Sequence, residues 1–135
     1  GVAATVEYAV AVLGVRHIVV CGHNHCGAMT ALFKQESLED KSIVSWLGYA
    51  EPTRRVIRQR MGADADFGSP EVIRATVEAN AVAQLDNLRT YPSVAVALDA
   101  GKLDLHAWVY YFENADVEGY DPATKAFRSL TAATV

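Results

Sequence analysis

His17-Ile18-Val19-Val20-Cys21-Gly22-His23-Asn24-His25-Cys26-Gly27 is the stretch that decides the fold of this chain. Its first five residues, His17 to Cys21, are short-range, rich in β-branched side chains and nearly continuously apolar, the pattern of a strand covered on both faces in a parallel sheet. From Cys26 a helix begins, carrying Ala28, Met29, Ala31, Leu32 and Phe33. A strand that runs straight into a helix is the opening of an α/β unit. At the join stand His23 and Cys26 in a His-x-x-Cys spacing. Imidazole nitrogen and thiolate sulfur are the ligand types that zinc prefers, and a strand end breaking into a helix aims both from a fixed backbone. The stretch reads as half of a metal site, because no other cluster of cysteine, histidine and paired charge completes it.

Outward from this centre the chain alternates helix and strand. Val2, Val6, Ala9, Val10 and Leu13 form one helical stripe stopped by Gly14, which predicts a buried helix with a left-handed end. After a polar loop, Ile43, Val44, Trp46, Leu47 and Ala50 resume a helical period, which Pro52 either kinks or restarts. Ser69-Pro70 predicts a capped helix start, with Ile73, Val77, Ala81, Leu85 and Leu88 on its apolar face. A short helix from Ser93 ends at Gly101. Leu103 to Phe112 alternates as a second strand, and a short edge strand is expected around Val117 to Tyr120. The expectation is one α/β domain over 1–135, a mostly parallel sheet flanked by helices.

Bulk properties narrow the function. The 135 residues are 51% apolar and 21% charged, with 12 basic against 16 acidic residues, an ordinary globular composition. Net acidity argues against nucleic acid as a partner, and Arg54, Arg55, Arg58 and Arg60 read as a solvated helix face. Glu7 and Arg16 interrupt the most apolar region, so no membrane span is expected. With no signal-peptide pattern and two cysteines around one turn, reduced chemistry in a cytoplasmic setting is expected.

The residues resemble a β-class carbonic anhydrase. Val20-Cys21-Gly22-His23-Asn24-His25-Cys26-Gly27-Ala28-Met29 is similar to the family's second zinc motif. Glu7-Tyr8-Ala9-Val10, Glu78-x-Asn80-x-x-x-Gln84-x-x-Asn87-Leu88, Leu105-His106-Ala107-Trp108-Val109-Tyr110, Val117-x-x-Tyr120-Asp121 and Phe127 follow in family order. The resemblance implies a Zn2+ enzyme that interconverts carbon dioxide with bicarbonate and a proton by zinc-bound hydroxide. It implies His23 and Cys26 as metal ligands. The family's Cys-x-Asp-x-Arg motif, source of its other cysteine ligand and of its Asp-Arg pair, is not in this chain, so no catalytic residue is assigned. The domain is therefore expected to be N-terminally incomplete, an excerpt of a longer enzyme.

Spacing alone leaves a Cys21, His23 and Cys26 triad open, since Cys21 and His23 share a strand face; the resemblance makes Cys21 a small buried residue instead. His25 is expected in a turn or surface role, with proton relay as the alternative. His106 is expected as a hydrogen-bonded core residue, Trp46, Trp108, Tyr110, Tyr111 and Phe112 as mainly core aromatics, and Asn80, Gln84 and Asn87 as structural amides. The partners implied are carbon dioxide or bicarbonate and either a second copy, as a homodimer or higher oligomer, or the missing N-terminal segment, because the strand at His17 lacks a neighbour. Two other readings stand beside the enzyme: a non-catalytic relic or assembly module with an incomplete zinc site, and a thiol switch using Cys21 and Cys26.

Overall fold

The computed structural model describes residues 1–131. Helix α1 (Val2–Glu7) passes into a wider π-helical turn at Tyr8–Val12. Gly14, at φ 64, then ends it in the left-handed conformation expected of a helix stop. Strand β1 (His17–His23) leads to the short helix α2 (Gly27–Ala31), then α3 (Lys41–Leu47) and α4 (Glu51–Met61). A tight turn at Gly48–Ala50 separates these two, so Pro52 sits in the first turn of a new helix rather than at a kink. The long α5 (Pro70–Arg89) starts where Ser69 Oγ accepts the Val72 N–H at 3.3 Å, a side-chain cap of the expected kind. Helix α6 (Pro92–Asp99) precedes strands β2 (Asp104–Tyr111), β3 (Asp116–Asp121) and β4 (Ala126–Ser129).

The strands lie in the order β1-β2-β3-β4. β1 and β2 are parallel, with His17 opposite Asp104 and His23 opposite Tyr110. β2–β3 and β3–β4 are antiparallel. The α/β fold with flanking helices is as expected, but parallel pairing is confined to the one pair whose connection is long enough to cross over. The short turns after Tyr111 and Asp121 can only reverse the chain. β3 is not the edge strand expected around Val117 to Tyr120, because four residues around Phe127 add β4 outside it.

Helix α5 lies across one face of the sheet. Its Ala81 and Leu85 pack with Ala107, Val20, Leu105, Tyr120 and Phe127, while Val72, Ile73 and Val77 join Leu32, Leu47, Ile57 and Val109 in the main core. A smaller cluster of Val10, Val94 and Leu103 holds the first helix. The opposite face of β1 is open among the described residues, and four expectations are corrected. Along β1, His17, Val19, Cys21 and His23 are exposed and alternate with half-buried Ile18, Val20 and Gly22, so the strand is covered on one side. The first helix is not buried, since Val10 alone among its residues is. Cys21 is exposed rather than a small core residue. Trp46 (61% exposed) and Phe112 (57%) lie at the surface, and Trp108, Tyr110 and Tyr111 are half-buried. An apolar run states that both faces can be buried; it does not state that the covering elements lie in the same stretch of chain.

Two arginines of the basic cluster on α4, Arg54 and Arg55, share one carboxylate. Glu51 accepts from Arg54 Nε at 2.7 Å and Nη2 at 2.8 Å, and from Arg55 Nε at 3.3 Å. The Arg54 hydrogen bonds chiefly, opposed by partial burial and helped by Arg55, pull the Glu51 carboxyl from 4.5 to about 2. A lowered carboxylate contributes its stability above its unfolded pKa and loses it as pH falls through the folded one. Because the pair is partly solvated, Glu51→Gln should cost only about 0.5–1 kcal/mol at pH 7. Thermal midpoints of the two proteins should converge between pH 4.5 and about 2; a gap that persists at pH 2 contradicts this origin.

Candidate metal centre

His23 is the last residue of β1, and the parallel ladder continues one step past it, where the Asn24 N–H donates to the Tyr110 carbonyl at 3.0 Å. His25 then adopts φ 51, a left-handed conformation that reverses the chain. Cys26 follows with extended backbone (φ -74, ψ 115) as the residue preceding α2. Its carbonyl accepts both the Thr30 N–H and the Thr30 hydroxyl at 3.0 Å, which ties the first helical turn to the cysteine. Cys26 is half-buried and packs on the core that includes Met29 and Leu32, whereas His23 is exposed.

The imidazole of His23 is held in one protonation pattern. Its Nδ1 lies 2.8 Å from the Asn24 carbonyl oxygen. A carbonyl only accepts, so Nδ1 bears the hydrogen and Nε2 keeps its lone pair, the arrangement found in metal-ligating histidines. The Phe112 ring, 5.5 Å away between centroids, flanks it.

The two residues between the candidate ligands converge on Glu113. Asn24 Nδ2 donates to Glu113 Oε2 at 2.6 Å, His25 Nε2 forms a short contact with Glu113 Oε1, and Asn24 Oδ1 accepts the Phe112 N–H at 3.1 Å. The His25 contact above all, with Asn24 assisting, holds the Glu113 carboxyl below its usual range. His25 thus has a turn role at the surface. Glu113 was not legible as a site residue, since only the parallel register of β1 on β2 brings it to the turn.

The other candidates fall outside this group. Cys21 shares the open face with His23, its Sγ 3.5 Å from the Gly22 carbonyl. His106 is half-buried, its Nε2 3.0 Å from Nδ1 of His17. Asn80 accepts from Thr53 and Gln84, both at 3.2 Å, and Asn87 donates to Gln84 at 2.9 Å, a row of mutually satisfied amides as expected of structural residues. Beside the turn a cleft is lined in part by Thr30, Ile73, Arg74 and Tyr111. Burial, reinforced by the Glu118 and Glu78 carboxylates against Arg74, pushes the Tyr111 hydroxyl well above its ordinary range, so it stays protonated at neutral pH.

Among the described residues no three of His, Cys, Asp and Glu come together as a group able to hold a metal ion. His23 and Cys26 have the donor chemistry zinc takes, but they are two, and a catalytic zinc usually has three protein ligands. No helix of the described residues is long and apolar enough to cross a membrane.

Comparison with known proteins places this turn in a family. The carbonic anhydrase family profile matches residues 1–117. Carbonic anhydrase 1 of Escherichia coli O157:H7 is 45% identical over 133 residues, which are 98% of this chain and 59% of that protein. The carbonic anhydrase of Pseudomonas aeruginosa is 45% identical over 96% of this chain and 58% of its own length. The solved β-carbonic anhydrase CcaA superimposes with a TM-score of 0.87 at 38% identity, covering 93% of this chain and 61% of that one. The chain therefore spans about three-fifths of the length of these relatives. Its strand-to-helix turn, its mixed sheet and these similarities agree: the chain belongs to the carbonic anhydrase family, in its β class.

Proposed function

We propose that this chain contributes His23 and Cys26 to the zinc centre of an enzyme that interconverts carbon dioxide and bicarbonate. The observation that carries the reading is the hydrogen bond from His23 Nδ1 to the Asn24 carbonyl, which leaves Nε2 free to bind at the start of the turn that presents Cys26. Zinc, when bound, supplies Lewis acidity that makes hydroxide available at neutral pH. The chain's own part is to hold the metal with one imidazole and one thiolate, to fix the imidazole through Asn24, and to flank it with Phe112. Further ligands and the water-orienting groups come from outside this set of residues.

The open flank of β1 supports a second element of the proposal. Among the described residues β1 is the outer strand of the sheet, with no strand paired along its other side, and exposed Val2, Tyr8, Val12 and Leu13 lie on the preceding helix. An uncovered edge of this kind invites pairing with another chain or segment. We place the active form in an assembly, with a second copy or a segment carrying the third ligand against β1. A reduced, cytoplasmic compartment suits the free thiols.

Zinc content and carbon dioxide hydration by the 135-residue chain test the reading together. Zinc bound to the wild type and lost from His23→Ala supports it, and hydration abolished by the same substitution extends it to catalysis. A wild type free of zinc in metal-replete buffer would instead favour the relic, whose incomplete ligand set is its one structural argument.

A further inference from the structure

We propose that Glu113 is the positioning residue of the metal turn, a carboxylate that locks the segment between His23 and Cys26 and thereby sets the orientation and tautomer of the His23 ring. Only Asn24 and His25 separate the candidate ligands. Both side chains end on this one carboxylate, Asn24 on Oε2 at 2.6 Å and His25 on Oε1. Glu113 itself lies just past Tyr111, the last residue of β2, a strand held on both sides by β1 and β3. The turn is thus fastened to an interior strand of the sheet at both the backbone, Asn24 N–H to Tyr110 O at 3.0 Å, and the side chains.

The arrangement is informative because burial does not account for it. The side chains of His25 and Glu113 are 66% and 59% exposed, and exposed pairs add little to global stability. Their effect falls on local geometry. A non-glycine residue at positive φ is intrinsically disfavoured, and His25 sits at φ 51; its carboxylate contact helps to keep it there. The Asn24 carbonyl, which fixes His23 Nδ1 at 2.8 Å, belongs to the residue whose side chain Glu113 and Phe112 restrain. Freed from that restraint, the peptide can rotate away from the imidazole, and the ring reverts to the mixture of tautomers of an unconstrained histidine.

The inference uses the zinc reading only for its metal-binding arm. In nitrogen-15 spectra of the metal-free 135-residue chain, at a pH where the imidazole is neutral, the wild type should show His23 predominantly as the Nδ1–H form. Glu113→Ala should shift it toward Nε2–H with little change in thermal midpoint. Followed by the thiolate-to-cobalt absorption band, Co2+ affinity should fall about 10–100-fold, the usual consequence of removing a partner that orients a ligand. Asn24→Ala should produce a loss of the same order, and the double variant no more than the larger single loss, since both act along one path. Glu113→Gln, which keeps one acceptor oxygen, should lie between. An unchanged tautomer in Glu113→Ala, or additive losses in the double variant, overturns the proposal. A wild type that shows no thiolate–cobalt band sinks the zinc reading instead, while the tautomer still judges Glu113.

Discussion

Cys26→Ala is expected to eliminate zinc binding, while Cys21→Ala leaves it intact. The two sulfurs are close in sequence and both are free thiols, so composition does not separate them. Geometry does. Cys21 and His23 occupy alternate positions of one straight strand, and side chains two residues apart on a strand rise side by side with roughly 6.5 Å between their bases. Ligands of one zinc lie about 2.0–2.3 Å from it, so their donor atoms stand within about 4.5 Å of each other. Side chains on one strand face can tilt to meet that distance, so spacing alone does not exclude the pair; but among the described residues no three of His, Cys, Asp and Glu come together as a group able to hold a metal ion, so Cys21 does not join His23 and Cys26. Cys26 lies beyond the left-handed residue His25, where the chain has turned, and its backbone is anchored by Thr30. Metal content of the two variants, with the cobalt charge-transfer band as the reporter of thiolate ligation, decides between them. Loss of metal from Cys21→Ala would restore the Cys21, His23 and Cys26 triad; loss from neither would remove the cysteine from the site. The thiol switch is tested in the same samples, because it needs Cys26 as well as the exposed Cys21 to react with mild oxidant, and zinc ligation protects Cys26.

The same residues show how far a sequence reports its own site. The strand, the turn and the helix around His23 and Cys26 were legible because each is coded locally: β-branched residues, then glycines and small polar residues, then an apolar helical period. The α5 face was legible for the same reason, since Ile73, Val77, Ala81 and Leu85 recur at helical spacing and all four are buried. What escaped was whatever depended on distant pairing. Glu113 meets His25 across 88 positions of sequence, and only the register that sets His23 beside Tyr110 puts it there. β4 escaped because four residues with one large apolar side chain carry too little pattern. The exposure of Val19, Cys21, Trp46 and Phe112 escaped for a different reason: apolarity does not fix burial, which is a property of the assembled surfaces, and for Val19 and Cys21 the face of β1 away from α5 lacks a covering layer among the described residues.

Gly22→Ala should destabilise the fold by about 1–3 kcal/mol, the usual cost of forcing a methyl group into a packed interior, although alanine is ordinarily the better strand residue. Gly22 directly precedes His23 and faces α5, as Ile18 and Val20 do along the same side of β1. A Cβ at this position would stand 2.9 Å from Cγ1 of Val77, while its next neighbours, the carbonyls of Trp108 and Val77, are at an ordinary 3.8 Å. The conflict is therefore with one methyl group. Val77 is buried at 4% exposure, and a valine in a helix is nearly confined to a single rotamer, so it cannot swing aside; either α5 or the end of β1 must give. Displacement of β1 moves His23, and metal affinity should fall together with stability. Val77→Ala removes the opposing methyl and leaves a small void of its own. In the double variant the new methyl occupies space that Val77 has vacated, so the combined loss should be smaller than the sum of the two single losses. Chemical denaturation of the wild type, both single variants and the double variant measures that coupling. Strict additivity, or a Gly22→Ala protein as stable as the wild type, would show that α5 does not press on β1 at this point and that the close approach of helix and strand is not what holds His23 in place.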